Sequence, residues 1–101
     1  MTTSLPASIA ALACAGKQTQ AIAAATAALA APRLGAPLRL TLLELRAEAL
    51  IAEGRFDDAA HDAEAMLALA GTTPGSRIQA LRCQALVLMR LGKNKQALAV
   101  A

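Results

Sequence analysis

The chain has 101 residues, a net charge of +3 and a single aromatic side chain, Phe56, so it forms one small domain at most. Half of its 56% apolar content is alanine, and Val and Ile occur only at Ile9, Ile22, Ile51, Ile78, Val87 and Val100, which excludes a sheet-built core and points to an all-α fold of closely packed helices. With no dense basic run and no aromatic beyond Phe56 to stack on bases, nucleic-acid binding is excluded as well.

The first segment, MTTSLPASIAALACAG, has the Ala13–Cys14–Ala15 run of a signal-peptidase site, but no Lys or Arg precedes its short apolar stretch. It reads as a helix near residues 5–15, ended by Gly16. A second helix is predicted over 18–31; its stretch from Gln18 to Pro32 is uncharged but mostly alanine with Thr and Gln, too polar for a membrane span. No membrane association and a cytoplasmic location are therefore expected. APRLGAP, residues 31–37, is a loop.

The third helix, near 38–53, carries one apolar stripe: Leu40, Leu43, Ala47 and Leu50 at i, i+3, i+7 and i+10. Gly54 supplies the permissive backbone that ends it. A second stripe follows on the fourth helix, near 56–70, with Phe56, Ala59, Ala60, Ala63, Met66 and Leu67. GTTPG, residues 71–75, holds a capping glycine at Gly71 and an N-cap at Thr73 before Pro74. A fifth helix is predicted over 75–91, a turn at Gly92, and a sixth helix over 94–101.

These elements repeat. Gly16, Gly54 and Gly92 are separated by 38 residues each, and the same offset relates Leu5, Leu43 and Leu81, then Leu12, Leu50 and Leu88, then Ala21, Ala59 and Ala97. Ala47 and Ala85 match too, with Ile9 in the remaining copy. The domain, 1–101, thus divides into copies of approximately 2–39, 40–77 and 78–101, the last incomplete.

The middle copy, TLLELRAEALIAEGRFDDAAHDAEAMLALA, resembles a tetratricopeptide repeat, a helix–turn–helix unit of about 34 residues. That family's large, small and large positions, its turn glycine, the aromatic after it and a further small position fall on Leu43, Ala47, Leu50, Gly54, Phe56 and Ala59. The chain departs from the pattern in its longer period, in leucine where the family has an early tryptophan, and in Arg46 and Gln84 where leucine is usual. The aromatic after the glycine is replaced by Gln18 and Asn94 in the other copies.

The resemblance implies an α-solenoid of three antiparallel helix pairs whose first helices line a concave surface. That surface would carry Thr41, Glu44, Glu48, Ile51, Gln79, Arg82, Leu86 and Met89, a mixture suited to a peptide or amphipathic helix of a protein partner. The Asn and Lys clamp of repeats that bind acidic chaperone tails is missing, since Asn94 is the only Asn and falls in a second helix.

All seven acids lie between Glu44 and Glu64, with basic residues on either side. None of them forms a convincing catalytic or cofactor site. Glu44 and Glu48 share a helix face without a His or metal-ligand partner, and Asp57 and Asp58 complement a helix N-terminus. His61, which could join a metal site with Asp57 or Asp62, reads as a surface residue instead. Cys14 and Cys83 form no CxxC pair and read as free thiols, a disulfide requiring the fold to bring them together. No enzyme activity, cofactor or metal is expected of this segment.

The predicted sixth helix is shorter than its counterparts, which suggests a fragment of a longer protein. The alternative function is then an N-terminal regulatory or dimerisation segment of a bacterial signalling enzyme or transcription regulator. Leu91, Leu98 and Val100 would be uncovered at an open C-terminal end, where a homodimer is expected.

Overall fold

A computed structural model describes the backbone of residues 5–100 and the side chains of residues 5–92. Among the described residues the molecule is a bundle of five helices without strands: α1 (Leu5–Cys14), α2 (Gln18–Leu29), α3 (Ala36–Ala52), α4 (Phe56–Ala70) and α5 (Pro74–Val100). Each helix packs on its neighbours in sequence, and α3 also packs on α1 and α5. The backbones of α1 and α2 stay clear of those of α4 and α5. The smallest dimension is 19 Å, about two helix diameters at roughly 10 Å each.

Two turns are built alike. Gly16 and Gly54 both have φ of +79°. The amide of Gly16 donates to Ala13 at 3.0 Å and that of Lys17 to Leu12 at 2.9 Å; Gly54 donates to Ile51 at 3.0 Å and Arg55 to Leu50 at 2.8 Å. This paired closure satisfies the last carbonyls of a helix and requires a left-handed residue, which glycine adopts without a Cβ penalty. The space around a Cβ at Gly54 is open, so only its backbone conformation demands glycine. The chain has a positive φ again at Arg33, 72°, and at Gly71, 54°, which are themselves 38 residues apart.

Alanine makes the packing close. Ala21, Ala25, Ala28, Ile9, Leu42 and Ala49 form one buried cluster among α1, α2 and α3. A second joins Leu40, Leu43, Ala47 and Leu50 of α3 to Ala59, Ala63 and Met66 of α4 and to Ala80, Cys83 and Val87 of α5. α3 therefore has two buried faces, one for each cluster. Ala59, the small position of the repeat, is fully buried.

One expectation is corrected. The predicted turn at Gly92 does not form: α5 runs unbroken from Pro74 to Val100, so there is no separate helix over 94–101. Glycine permits a turn without imposing one, and inside a helix it costs only about 1 kcal/mol relative to alanine. Asn94 stands where α4 begins with Phe56, which leaves little apolar surface to draw the chain back. Leu81 and Leu88, on the apolar side of the fifth helix that the sequence leaves without a following unit, are 45% and 61% exposed, because the predicted sixth helix is not folded against them. Leu5 is exposed as well, at the outer edge of α1. Leu91 is partly buried against the second cluster, while the side chains of Ala97, Leu98 and Val100 lie outside the described residues.

Asp62 of α4, weighed in the sequence only as a companion of His61, has a structural part. It is buried and holds Arg46 through two hydrogen bonds, with Nε to Oδ2 at 2.8 Å and Nη2 to Oδ1 at 2.6 Å. Arg46 Nη1 also donates to Thr26 Oγ1 at 3.2 Å, so one guanidinium ties α2, α3 and α4 together. The hydrogen bond to Asp62 outweighs the desolvation of Arg46 and strengthens its hold on its proton. This accounts for arginine where the repeat pattern has leucine.

Gly54→Val is expected to lose more than about 1 kcal/mol by forcing a β-branched residue into the left-handed region. Arg33→Gly is expected to change stability in the opposite direction, gaining about 0.5–1 kcal/mol. Urea melts of both variants check the signs. Asp62→Ala should cost about 3 kcal/mol because it strands a largely buried guanidinium, and adding Arg46→Leu should recover most of that loss. Additive losses in the double variant would show the two side chains to be uncoupled.

Candidate functional site: a groove between α3 and α5

Helical spacing puts Glu44, Glu48 and Ile51 on one side of α3, and the packing of α5 beside α3 sets Gln79, Arg82, Leu86 and Met89 opposite them. A cavity of about 460 Å³ lies between, lined by Glu44, Glu48, Arg82, Cys83, Ala85, Leu86 and Met89. A second cavity of about 310 Å³ continues from it, lined by Glu48, Ile51, Ala52, Leu86 and Arg90. Glu48 and Leu86 border both, so the two make one groove.

Of the eight residues assigned to the concave surface, Glu44, Glu48, Ile51, Arg82, Leu86 and Met89 line this groove. Gln79 stands at its edge, where its Nε2 donates to Glu44 Oε2 at 2.5 Å. Thr41 lines neither cavity; its hydroxyl donates to the Pro37 carbonyl of its own helix at 3.1 Å. The sequence reading missed Ala52, Cys83, Ala85 and Arg90. Cys83 and Arg90 follow Gln79 at i+4 and i+11, on the same side of α5, a spacing that marks them in retrospect.

The walls are apolar and the rim is charged. Leu86 is half-buried and Met89 is 52% exposed. Arg82 Nη2 approaches Glu44 Oε1 at 3.7 Å, a loose pair on an exposed side chain. Glu44 is therefore engaged from α5 twice, while Glu48 makes no ion pair among the described residues. Burial, and next the charge of Glu44, raise the Glu48 pKa above the usual carboxylate range, with Arg82 offsetting part of the shift. Cys83 forms part of the floor; burial first, and then Glu44, Glu48 and Asp62, push its thiol up to about 11. It stays protonated and unreactive near neutral pH.

The rest of the surface is occupied differently. A cleft of about 270 Å³ between α2, α3 and α4 contains Arg46, Arg55, Asp58, His61 and Asp62. Its charges are already paired, Arg46 with Asp62 and Arg55 with Asp58 at 2.9 Å. Among the described residues no three His, Cys, Asp or Glu side chains gather as a metal site would need. Cys14 is exposed on α1 and Cys83 buried on α5, helices that do not pack together, and both thiols are free. Among the described residues no helix is long and apolar enough to cross a membrane. No protein-family model, curated protein or solved structure matches the chain.

A carboxyl group with a raised pKa is disfavoured as its anion, so it lowers stability when ionised. The penalty is complete above the folded-state pKa of Glu48 and disappears as pH falls below its unfolded-state value, the ordinary 4.5 of a glutamate. Glu48→Gln is accordingly expected to raise Tm at pH 7 and to lose that advantage near pH 4. Thermal melts of both proteins across that range check it; an equal offset at both pH values would place the effect elsewhere.

Proposed function

We propose that the chain is a protein-binding module, a tetratricopeptide-like array of helix pairs that holds a peptide or helix of a partner protein in the α3–α5 groove. The observation that carries this reading is the groove itself: apolar walls from Leu86 and Met89, a charged rim from Glu48 and Arg82, and the space for a short segment. The array reading is supported by the two matching glycine turns and by the nearest-neighbour packing of the helices.

The groove also suggests the ligand's chemistry. Apolar side chains of the partner would enter between Leu86 and Met89, and a Lys or Arg would meet Glu48. That cation would favour the ionised carboxylate and reverse the shift that burial imposes. Binding should therefore weaken as pH falls through the Glu48 pKa. Hydroxyl side chains in place of Leu86 and Met89 would remove the apolar contact while both positions remain open to water.

The test is selection from a random peptide library against the 101-residue chain. Enriched peptides are expected to pair an apolar residue with a basic one. They should lose about tenfold or more in affinity for Leu86→Ser/Met89→Ser, with the circular dichroism of the variant unchanged. Peptides that bind both proteins equally would remove the groove as the binding site, and loss of helicity in the variant would identify the two residues as core.

A further inference from the structure

We propose that a second surface, the apolar stripe Ile78, Leu81, Ala85 and Leu88 on α5, which adjoins the groove at Ala85, docks an acidic amphipathic helix of a partner protein in the way that α4 sits on α3. The stripe is the 38-residue image of Leu40, Leu43, Ala47 and Leu50. On α3 those four positions are buried with Ala59, Ala63 and Met66 of α4. On α5 the corresponding residues are open, Ile78 at 62%, Leu81 at 45% and Leu88 at 61% exposure.

The exposure is not an effect of α5 being turned differently. Ala80 and Val87, the images of Leu42 and Ala49, are buried against the preceding helices just as Leu42 and Ala49 are. α5 thus repeats the docking of α3 on one face and presents the other face bare. Contiguous exposed apolar surface of this kind marks an association site.

Charge selects the occupant. α5 carries Arg77, Arg82, Arg90, Lys93 and Lys95 and no acid. By helical position Arg77 and Arg82 flank the stripe on opposite sides, and the Arg82 side chain is 71% exposed. The helix that covers the equivalent stripe, α4, has the opposite character: Asp57, Asp58, Asp62 and Glu64, no Lys or Arg, and an inner face of alanines. A second copy of α5 would set five cations against five, and residues 93–100 of the same chain continue α5 rather than returning over it. An acidic helix with small inner residues satisfies both the shape and the sign of this face.

The probe is a labelled synthetic peptide of residues 55–71, RFDDAAHDAEAMLALAG, titrated into the full chain and followed by fluorescence anisotropy. Saturable binding is expected, weakened by added salt and lost in a peptide with its acids changed to Asn and Gln. Leu81→Ser/Leu88→Ser should weaken it about tenfold or more, without altering the protein's melt, since both residues are exposed. Leu86→Ser/Met89→Ser, in the groove, should leave it unchanged. No saturable binding, equal binding of the neutral peptide, or indifference to Leu81→Ser/Leu88→Ser would overturn the proposal. So would a concentration-dependent dimer of the chain that Leu81→Ser/Leu88→Ser abolishes, which would identify a second copy as the occupant.

Discussion

The structure depends on α3 being buried twice. One face, with Leu42 and Ala49, rests on α1 and α2, and another, with Leu40, Leu43, Ala47 and Leu50, meets α4 and α5. A pair of short alanine-rich helices buries too little apolar area to be stable alone. The two clusters have no backbone contact except through α3, and Ile22 and Leu29 of α2 pack against both, so each helps hold the elements the other needs. Arg46, reaching Asp62 on one side and Thr26 on the other, adds a directional link at the same junction. A helix buried on two faces needs apolar residues on more than a single stripe, and α3 accordingly holds six buried Leu and Ala residues around its circumference.

What could be read in the sequence is what a one-dimensional pattern records. The helical phase of residues 40–50, the glycines at Gly16 and Gly54, and the small residue at Ala59 each impose a local requirement, and each stands where the spacing puts it. Six of the eight proposed groove positions came together because phase and helix order determine which sides of α3 and α5 face each other. What could not be read was every feature set by partners in space. Gly92 shares its spacing with the other two glycines, yet a turn also needs apolar residues on the segment that returns, and Asn94 stands where Phe56 opens α4. The exposure of Leu81 and Leu88 follows from that one difference. The partner of Asp62 could not be read either, because Arg46 is sixteen residues away on another helix. The left-handed Arg33 was hidden because arginine carries no sign of that conformation, although the glycine 38 residues on, Gly71, does.

The charge distribution acquires a spatial meaning once the helices are placed. The acids run from Glu44 on α3 to Glu64 on α4, in the middle of the stack, while α5 is wholly basic. Within the molecule the two signs meet at Glu44, where Arg82 and Gln79 of α5 approach it, and only loosely in the case of Arg82. Exposed pairs of this kind contribute little to stability. Their larger effect is on which surfaces of other molecules are attracted, since long-range fields select by sign before contacts select by shape.

Alanine explains why apolar surface stays open on so small a fold. Large side chains would draw the helices together through interdigitation and fill the space beside them. Alanine allows close backbone approach with little side-chain volume, so α3, α4 and α5 meet along Ala47, Ala59, Ala63 and Ala80, all buried. The larger residues of α5 that are not needed there, Ile78, Leu81, Leu88 and Met89, are left facing outward. A core that consumes few large side chains leaves others at the surface, and on a helix only two faces remain for them. One turns toward α3 and borders the groove; the other turns away from it and carries the uncovered stripe. The two surfaces thus have a common physical origin in the small residues that hold the helices together.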